Sequence, residues 1–316
     1  MQSAEVGGDP SIGISGRSPR RGGMQRAARG ARWLLAAGAV LLLAACSSLR
    51  FGYNNADTLL LYTLDSYFDL DDGQEALARE RVRGLLAWHR STQLAAYAGL
   101  LDSAGRKLDG ELTPADVLAL NSELNARLAV IGAQAATDLA RLALTLQPPQ
   151  IEHFAGKLAE SNAKARRSIV GLGGVLTPED RTKRWLERAQ DWLGPLSETQ
   201  VELVRQAVAR RPGGGEAWVA ERARRQQDLL AILTRIQRDQ PAVDTGAQWL
   251  RAYFADLAEP GSAERRARAA EFRAANADLI AQLVNSATPQ QRAHAAKKLR
   301  GYAADFTVLA AEGGRG

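Results

Sequence analysis

The stretch Leu112-Thr113-Pro114-Ala115-Asp116 opens the longest periodic segment of the chain. Apolar residues follow it at steps of three and four, namely Val117, Leu120, Leu124, Leu128, Ile131, Ala135, Leu139, Leu142 and Leu146. This spacing places them on one face of an α-helix, and the average step is close to the natural helical pitch. The segment therefore predicts one long, nearly straight helix that buries this apolar stripe.

The same kind of helix start recurs along the chain. A Ser, Thr or Gln precedes the first helical turn, Pro commonly follows it, and Gln, Asp or Glu can reach back to the cap. The five segments with this pattern are 112–116, 146–150, 176–180, 196–200 and 287–291. No run of alternating apolar and polar residues predicts a strand. We therefore expect an all-α fold, an elongated bundle of long amphipathic helices.

Glycine-rich segments suggest where this bundle divides. Gly171-Leu172-Gly173-Gly174 is the best candidate for a linker. It predicts an N-terminal helical half over residues 46–170 and a C-terminal helical half over residues 171–316. It is a poor phosphate loop, because no strand precedes it and no Lys-Ser or Lys-Thr pair follows it.

Composition excludes several classes of protein. The chain has 316 residues and a formal net charge of +6, but its first 45 residues hold six arginines and two acidic side chains. The nearly neutral remainder lacks the concentrated basic face of a nucleic-acid binder. One cysteine and three histidines exclude an intramolecular disulfide and a cysteine-rich zinc site. We expect no nucleic-acid partner, no metal and no cofactor.

The N-terminal sequence has the pattern of an export signal. Residues 24–32 are basic and residues 33–45 are apolar, too short a run to span a bilayer comfortably. The run ends at Leu43-Ala44-Ala45-Cys46, which resembles the bacterial lipobox. The resemblance implies that the leader is cut before Cys46, that the thiol is diacylated and that the new amino group is acylated too. The alternative is a plain secretory leader that ends near a cysteine by accident.

These features predict a location. We expect residues 24–45 to be the lipoprotein signal peptide, with Cys46 as the membrane anchor of the mature protein. The residue after Cys46 is Ser47 and not an aspartate. In this respect the chain is similar to lipoproteins that are sorted to the outer membrane. The predicted site is the periplasmic side of the bacterial outer membrane. Residues 1–23 precede a second start at Met24, and we expect a mis-assigned start or a disordered extension there.

Further signature residues lie near the start of the mature chain. They are Tyr53-Asn54-Asn55-Ala56-Asp57, Tyr67-Phe68-Asp69-Leu70 with Gln74, Trp88-His89-Arg90, and the later segment Trp192-Leu193-Gly194-Pro195-Leu196-Ser197-Glu198-Thr199-Gln200. The ordered set resembles a family of uncharacterised bacterial lipoproteins known only as a domain of unknown function. The resemblance covers most of the mature chain and implies an all-helical fold without an established activity. The family's Leu-Pro pair after Trp-His-Arg is replaced here by Leu94-Ala95.

The signature supplies a candidate functional cluster, whose members are Tyr53, Asn54, Asp69, Gln74, Trp88, His89 and Arg90. If an aspartate from residues 69–72 reached His89, the imidazole could act as a general base in an envelope hydrolase. The alternative makes Trp88 a core anchor and His89 a hydrogen-bonding group that fixes helix packing. The sequence contains no nucleophile elbow, no phosphate loop and no histidine pair at zinc-ligand spacing, which favours a protein that is not an enzyme.

Residues 196–200 are also loosely similar to the periplasmic helical chaperones of the Spy and CpxP type, which bind unfolded or partner proteins. We therefore expect a lipid-anchored scaffold, adaptor or chaperone-like protein with a partner in the cell envelope. The envelope hydrolase is the alternative. The sequence leaves the oligomeric state open, since long amphipathic helices form intramolecular bundles and coiled-coil dimers equally well.

Overall fold

The computed structural model describes residues 49–170, 178–210 and 214–313. In these ranges the chain is helical throughout, with no strand, which confirms the all-α prediction. Helical residues 49–54 lead into the first of the named helices. These are α1 (Ala56–Phe68), α2 (Asp72–Thr92), α3 (Leu94–Lys107), α4 (Pro114–Thr145), α5 (Pro148–Val170), α6 (Pro178–Leu193), α7 (Glu198–Ala209), α8 (Gly214–Asp239), α9 (Val243–Ala258), α10 (Ala263–Asn285) and α11 (Pro289–Gly313).

Several predicted features lie outside the described residues. They are the N-terminal extension at 1–23, the signal peptide at 24–45, the lipidation site Cys46 and the boundary between the two helical halves at residue 171. These remain predictions.

The predicted helix starts are confirmed. α4, α5, α6 and α11 begin at the prolines of their start segments, and α7 begins directly after Ser197. Thr113 and Asp116 form a capping box, in which each side chain accepts a hydrogen bond from the backbone N–H of the other. Local side-chain chemistry therefore decides where these helices begin.

Most members of the predicted apolar stripe of α4 are half-buried. Its last two members, Leu142 and Leu146, are buried, but Leu128 is 61% exposed. The face that packs most closely consists of small residues one position further on, namely Gly132, Ala136, Ala140 and Ala143. Small side chains let the axis of a neighbouring helix approach, whereas leucines at the contact would hold it away.

The neighbour that uses this small-residue face is α9. A β-carbon built on Gly132 would lie 2.5 Å from Cγ of Phe254, and one built on Gly246 would lie 3.4 Å from Cβ of Ala140. At Gly132 the close approach of the Phe254 ring requires glycine in the middle of a helix, despite its low helix propensity.

Two large cores lie at opposite ends of α4. The C-terminal end of α4 packs with α1, α5, α8 and α9, where the rings of Phe68 and Phe154 stack with centroids 4.5 Å apart. Leu112 and Val117, at the N-terminal end of α4, join the core formed by α6, α7, α10 and α11. Helices from both sides of residues 171–177 therefore share each core, and α4 connects the two.

The contacts between helices follow the same order twice. α1 packs against α2 and α5, and α2 packs against α4. Likewise, α6 packs against α7 and α11, and α7 packs against α10. α3 packs on α11, the last helix of the second set, while α8 packs on α5, the last helix of the first set. These shared contacts relate the two sets of helices as two copies of one arrangement, and each copy packs one helix on the other. α9 has no counterpart in the first copy.

A reciprocal glutamine pair closes each copy of the repeat. In the second copy, Gln200 donates from Nε2 to Oε1 of Gln291 at 3.0 Å, and Gln291 donates back to Oε1 of Gln200 at 3.1 Å. Gln74 and Gln150 make the same exchange in the first copy, at 3.0 and 2.6 Å. Each pair joins the N-termini of two helices that lie far apart in sequence.

The remaining hydrogen-bonding groups of these amides are satisfied as well. Each Oε1 accepts the backbone N–H that precedes its own helix, from Asp71, Gln147, Ser197 or Thr288. Each Nε2 also donates to a backbone carbonyl beside its partner's helix, on Asp69, Thr145, Pro195 or Ser286. Because glutamate has no donor, only glutamine meets all of these demands.

This pairing predicts that Gln291→Glu destabilises the protein by about 1–3 kcal/mol, because the carboxylate removes two donated bonds and faces Oε1 of Gln200. Simple helix capping would predict no loss. Gln290→Glu adds the same charge at the neighbouring exposed position and is the matched control. Urea unfolding followed by far-UV circular dichroism, in mild detergent, measures both. Equal stability of the two variants would show that the pair is not required.

The close contact of α4 with α9 gives a second expectation. Gly132→Ala should destabilise the protein by about 1–3 kcal/mol, since Phe254 must leave its position to admit the methyl group. Gly84→Ala in α2 meets open space and should stabilise by about 0.5–1 kcal/mol through helix propensity. Shifts of the thermal unfolding midpoint in opposite directions from wild type would confirm the prediction. A Gly132→Ala variant that is more stable than wild type would contradict it.

Candidate functional site

The end of α2 meets the N-terminal helical segment. The hydroxyl of Tyr53 lies 2.8 Å from Nδ1 of His89, and the two rings stack with centroids 5.9 Å apart. Arg90 donates from Nη2 to Oδ1 of Asn54 at 2.8 Å and lies 5.1 Å from the centre of the Tyr53 ring. Four of the seven candidate residues therefore hold the N-terminal segment to α2 directly.

The C-terminal end of α11 completes the arrangement. Glu312 accepts a hydrogen bond from Nη1 of Arg90 at 3.2 Å and forms an ion pair with Arg50 at 3.5 Å. A β-carbon on Gly313 would lie 2.6 Å from Cγ of Arg90, so α11 passes close to this side chain. We call the set the N-terminal clamp, and its members are Arg50, Tyr53, Asn54, His89, Arg90 and Glu312.

An aromatic row lies behind the clamp. The ring centroids of Trp88 and His89 are 6.4 Å apart. The ring centroid of Tyr97 on α3 is 5.8 Å from that of His89. Phe306 of α11 continues the row, 5.8 Å from Tyr97. The row joins α2, α3 and α11 through His89, Tyr97 and Phe306, so His89 takes part in packing between helices.

The electrostatics of the clamp keep its rings neutral. Burial lowers the pKa of His89, because a buried imidazolium loses its hydration. Burial also raises the pKa of Tyr53, although the nearby charge of Arg90 opposes the rise. The phenol therefore stays protonated and can donate to the neutral imidazole. Asp305 on α11 is 5% exposed, and burial raises its pKa against the opposing charge of Arg50.

Two candidate residues lie elsewhere. Gln74 is fifteen residues before His89, about 22 Å away along α2. It belongs to the Gln74–Gln150 pair, and the backbone carbonyl of Asp69 accepts a hydrogen bond from Gln150 of the same pair. Asp69 follows the end of α1 and has a left-handed φ of 52°. The candidate set thus contains two separate groups of residues, the clamp with its aromatic row and the glutamine pair.

The chemistry that the clamp can perform depends on which groups contact His89. The hydrogen-bond partner of His89 in the described chain is a phenol, and the aspartates of residues 69–72 lie at the opposite end of α2. Within the described ranges no group of three His, Cys, Asp or Glu side chains could hold a metal ion. The arrangement is suited to holding helices together.

Sequence reasoning missed several members of this site. Arg50, Tyr97, Asp305, Phe306 and Glu312 were not in the candidate cluster. Glu312 lies 222 residues from Arg90, and its sequence surroundings give no signal that connects the two. Tyr97 and Phe306 lie on apolar helix faces, which predict burial without naming the partner.

The lowered pKa of His89 gives a signed pH dependence. In the unfolded state His89 binds a proton near pH 6.5, whereas in the folded state its lowered pKa delays protonation. The contribution of His89 to the free energy of unfolding is therefore fully present above pH 6.5 and is lost as the pH falls through the folded pKa. His89→Gln removes this titration and keeps a polar group for Tyr53. We expect the wild type to lose more thermal stability than His89→Gln between pH 7.5 and 5.5. His294→Gln on the exposed side of α11 is the control, and parallel pH profiles for wild type and His89→Gln would contradict the prediction.

Comparison with known families finds one match. Residues 66–246, more than half of the chain, match the Family of unknown function (DUF6279). The match contains Gln74, the Trp88-His89-Arg90 segment and the Trp192–Gln200 segment, whereas Tyr53 and Asn54 lie before it. No curated protein and no solved structure matches the chain. This protein therefore belongs to the DUF6279 family of unknown function.

Proposed function

We propose that this protein is a lipid-anchored component of the bacterial cell envelope that acts without catalysis, as a scaffold, adaptor or chaperone-like binding protein facing the periplasm. The observation that carries the proposal is Leu43-Ala44-Ala45-Cys46, which follows a basic and then an apolar segment. The only thiol of the chain stands where lipoprotein acylation needs one.

The anchor explains how a helical body can stay at a membrane. Among the described helices, none combines the length and apolarity that a bilayer crossing requires. One acyl chain anchors a protein only marginally, but several chains anchor it stably, at about 0.8 kcal/mol per buried CH₂. An acylated Cys46 would therefore hold the body at the surface of one leaflet.

The binding role is supported by the surface of the body. Large apolar side chains remain exposed far from the N-terminus, namely Leu128, Val130, Trp218 and Phe272. Such side chains add apolar contact area where a protein partner covers them, although single exposed apolar residues are common on protein surfaces. The likeness of residues 196–200 to periplasmic chaperones adds less, because Gln200 is committed to its internal pair with Gln291.

The hydrolase alternative draws no support from the clamp. A general base must lie within hydrogen-bond reach of the proton that it removes, and a carboxylate commonly orients it. His89 instead has the Tyr53 hydroxyl on Nδ1, and the rings of Trp88 and Tyr97 lie beside it. We therefore favour the non-enzymatic role.

The test is the fate of Cys46. Mass spectrometry of the native protein should find an acylated N-terminal Cys46, and Cys46→Ser should accumulate as a precursor outside the outer-membrane fraction. Ser47→Asp is the matched variant, which should keep the acylation and leave the outer-membrane fraction. An unmodified peptide that reads through residue 46, or a Cys46→Ser protein that still fractionates with outer membranes, would contradict the proposal.

A further inference from the structure

The first helical segment of the described chain exposes large apolar and aromatic side chains on one face. Phe51 is 72% exposed, Leu59 59% and Tyr62 74%, and their spacing places them on one side of the helix. The uncharged polar residues Asn55, Thr63 and Ser66 lie on or beside this face, and Asp65 lies at its edge. On the opposite side Leu61 and Phe68 are buried in the bundle.

Two of the three charged residues of this segment pair with side chains of other helices, and the third, Asp65, lies exposed at the edge of that face. Arg50 pairs with Glu312 at 3.5 Å, and Asp57 pairs with Arg83 of α2 at 3.8 Å. Asp65 accepts a hydrogen bond from the backbone N–H of Leu70 at 3.2 Å. An exposed helix face that carries aromatic and aliphatic side chains is suited to a membrane interface, where these side chains bury their apolar surface.

The length of the intervening chain places the start of this face close to the membrane if Cys46 is acylated. The described helix begins at residue 49, three residues after Cys46. Three extended residues span about 10 Å at most. If acyl chains on Cys46 lie in a bilayer, the first helical turn therefore lies within that distance of the headgroups. A tether this short leaves no room for a protein partner between the start of the helix and the membrane.

We propose that the outward face of residues 51–66 lies in the headgroup region of the membrane that holds the Cys46 acyl chains. Phe51, Leu59 and Tyr62 enter the interface, where aromatic side chains are favoured. The N-terminal clamp holds this segment rigidly to α2 and α11, so the contact fixes the orientation of the whole bundle relative to the bilayer. The inference rests on the proposed acylation of Cys46.

The single cysteine of the chain makes the test direct. Because an acylated Cys46 has no free thiol, Leu59→Cys and Tyr62→Cys each provide one site for a nitroxide label. Glu264→Cys, at the exposed start of α10, is the matched control. The full mature protein is reconstituted into vesicles of phosphatidylethanolamine and phosphatidylglycerol. Power-saturation electron paramagnetic resonance then compares collisions with oxygen, which concentrates in lipid, and with a water-soluble nickel chelate.

We expect the ratio of oxygen to nickel collisions at residues 59 and 62 to exceed that at residue 264 several-fold. Equal ratios on an acylated protein would overturn this inference and leave the proposed function intact. Spin–spin broadening at residue 62 that grows with the protein-to-lipid ratio would assign the face to a second copy and overturn it as well. A chain with unmodified Cys46 that does not sediment with vesicles would overturn both proposals.

Discussion

The fold depends on amides that satisfy one another. At each glutamine pair, two helix N-termini from distant parts of the sequence meet, and free backbone N–H groups would otherwise be left in a buried place. The Gln200–Gln291 pair supplies an acceptor to each helix start and donors to the partner and to the loop beside it. Buried polar groups are costly unless every one is paired, so the exchange fixes the register of all four helices that carry it.

The repeat and the clamp assign different tasks to the two ends of α2. Its N-terminus carries Gln74 and closes the first copy of the repeat, while its C-terminus carries His89 and Arg90 and holds the N-terminal segment. The family match includes both ends of this helix. Under the proposed function, α2 thus connects the membrane-proximal segment to the internal core.

The sequence allowed the helix starts to be predicted, but it did not reveal which side chains of distant helices would contact one another. The starts of α4, α5, α6, α7 and α11 follow from caps and prolines within a few residues, so they were predicted. Glutamine, aspartate and glutamate cap a helix equally well in isolation, so the pairing of Gln200 with Gln291 had no sequence signal. The leucine stripe of α4 is mostly half-buried, and the closest helix contact lies one position further on. Hydrophobicity does not reveal how closely a neighbour such as Phe254 approaches Gly132. Tyr53 and His89 were grouped only through an ordered set of signature residues, and Glu312 lay beyond any such set.

The exchange of helices between the two copies sets when the protein can finish folding. α3, near the start of the chain, is covered by α11, which is made last. Contacts between segments so far apart form late, because closing the long intervening loop is entropically unfavourable. The core that contains α10 and α11 can therefore be completed only when nearly the entire polypeptide has been synthesised, whereas the other core needs the chain only as far as α9.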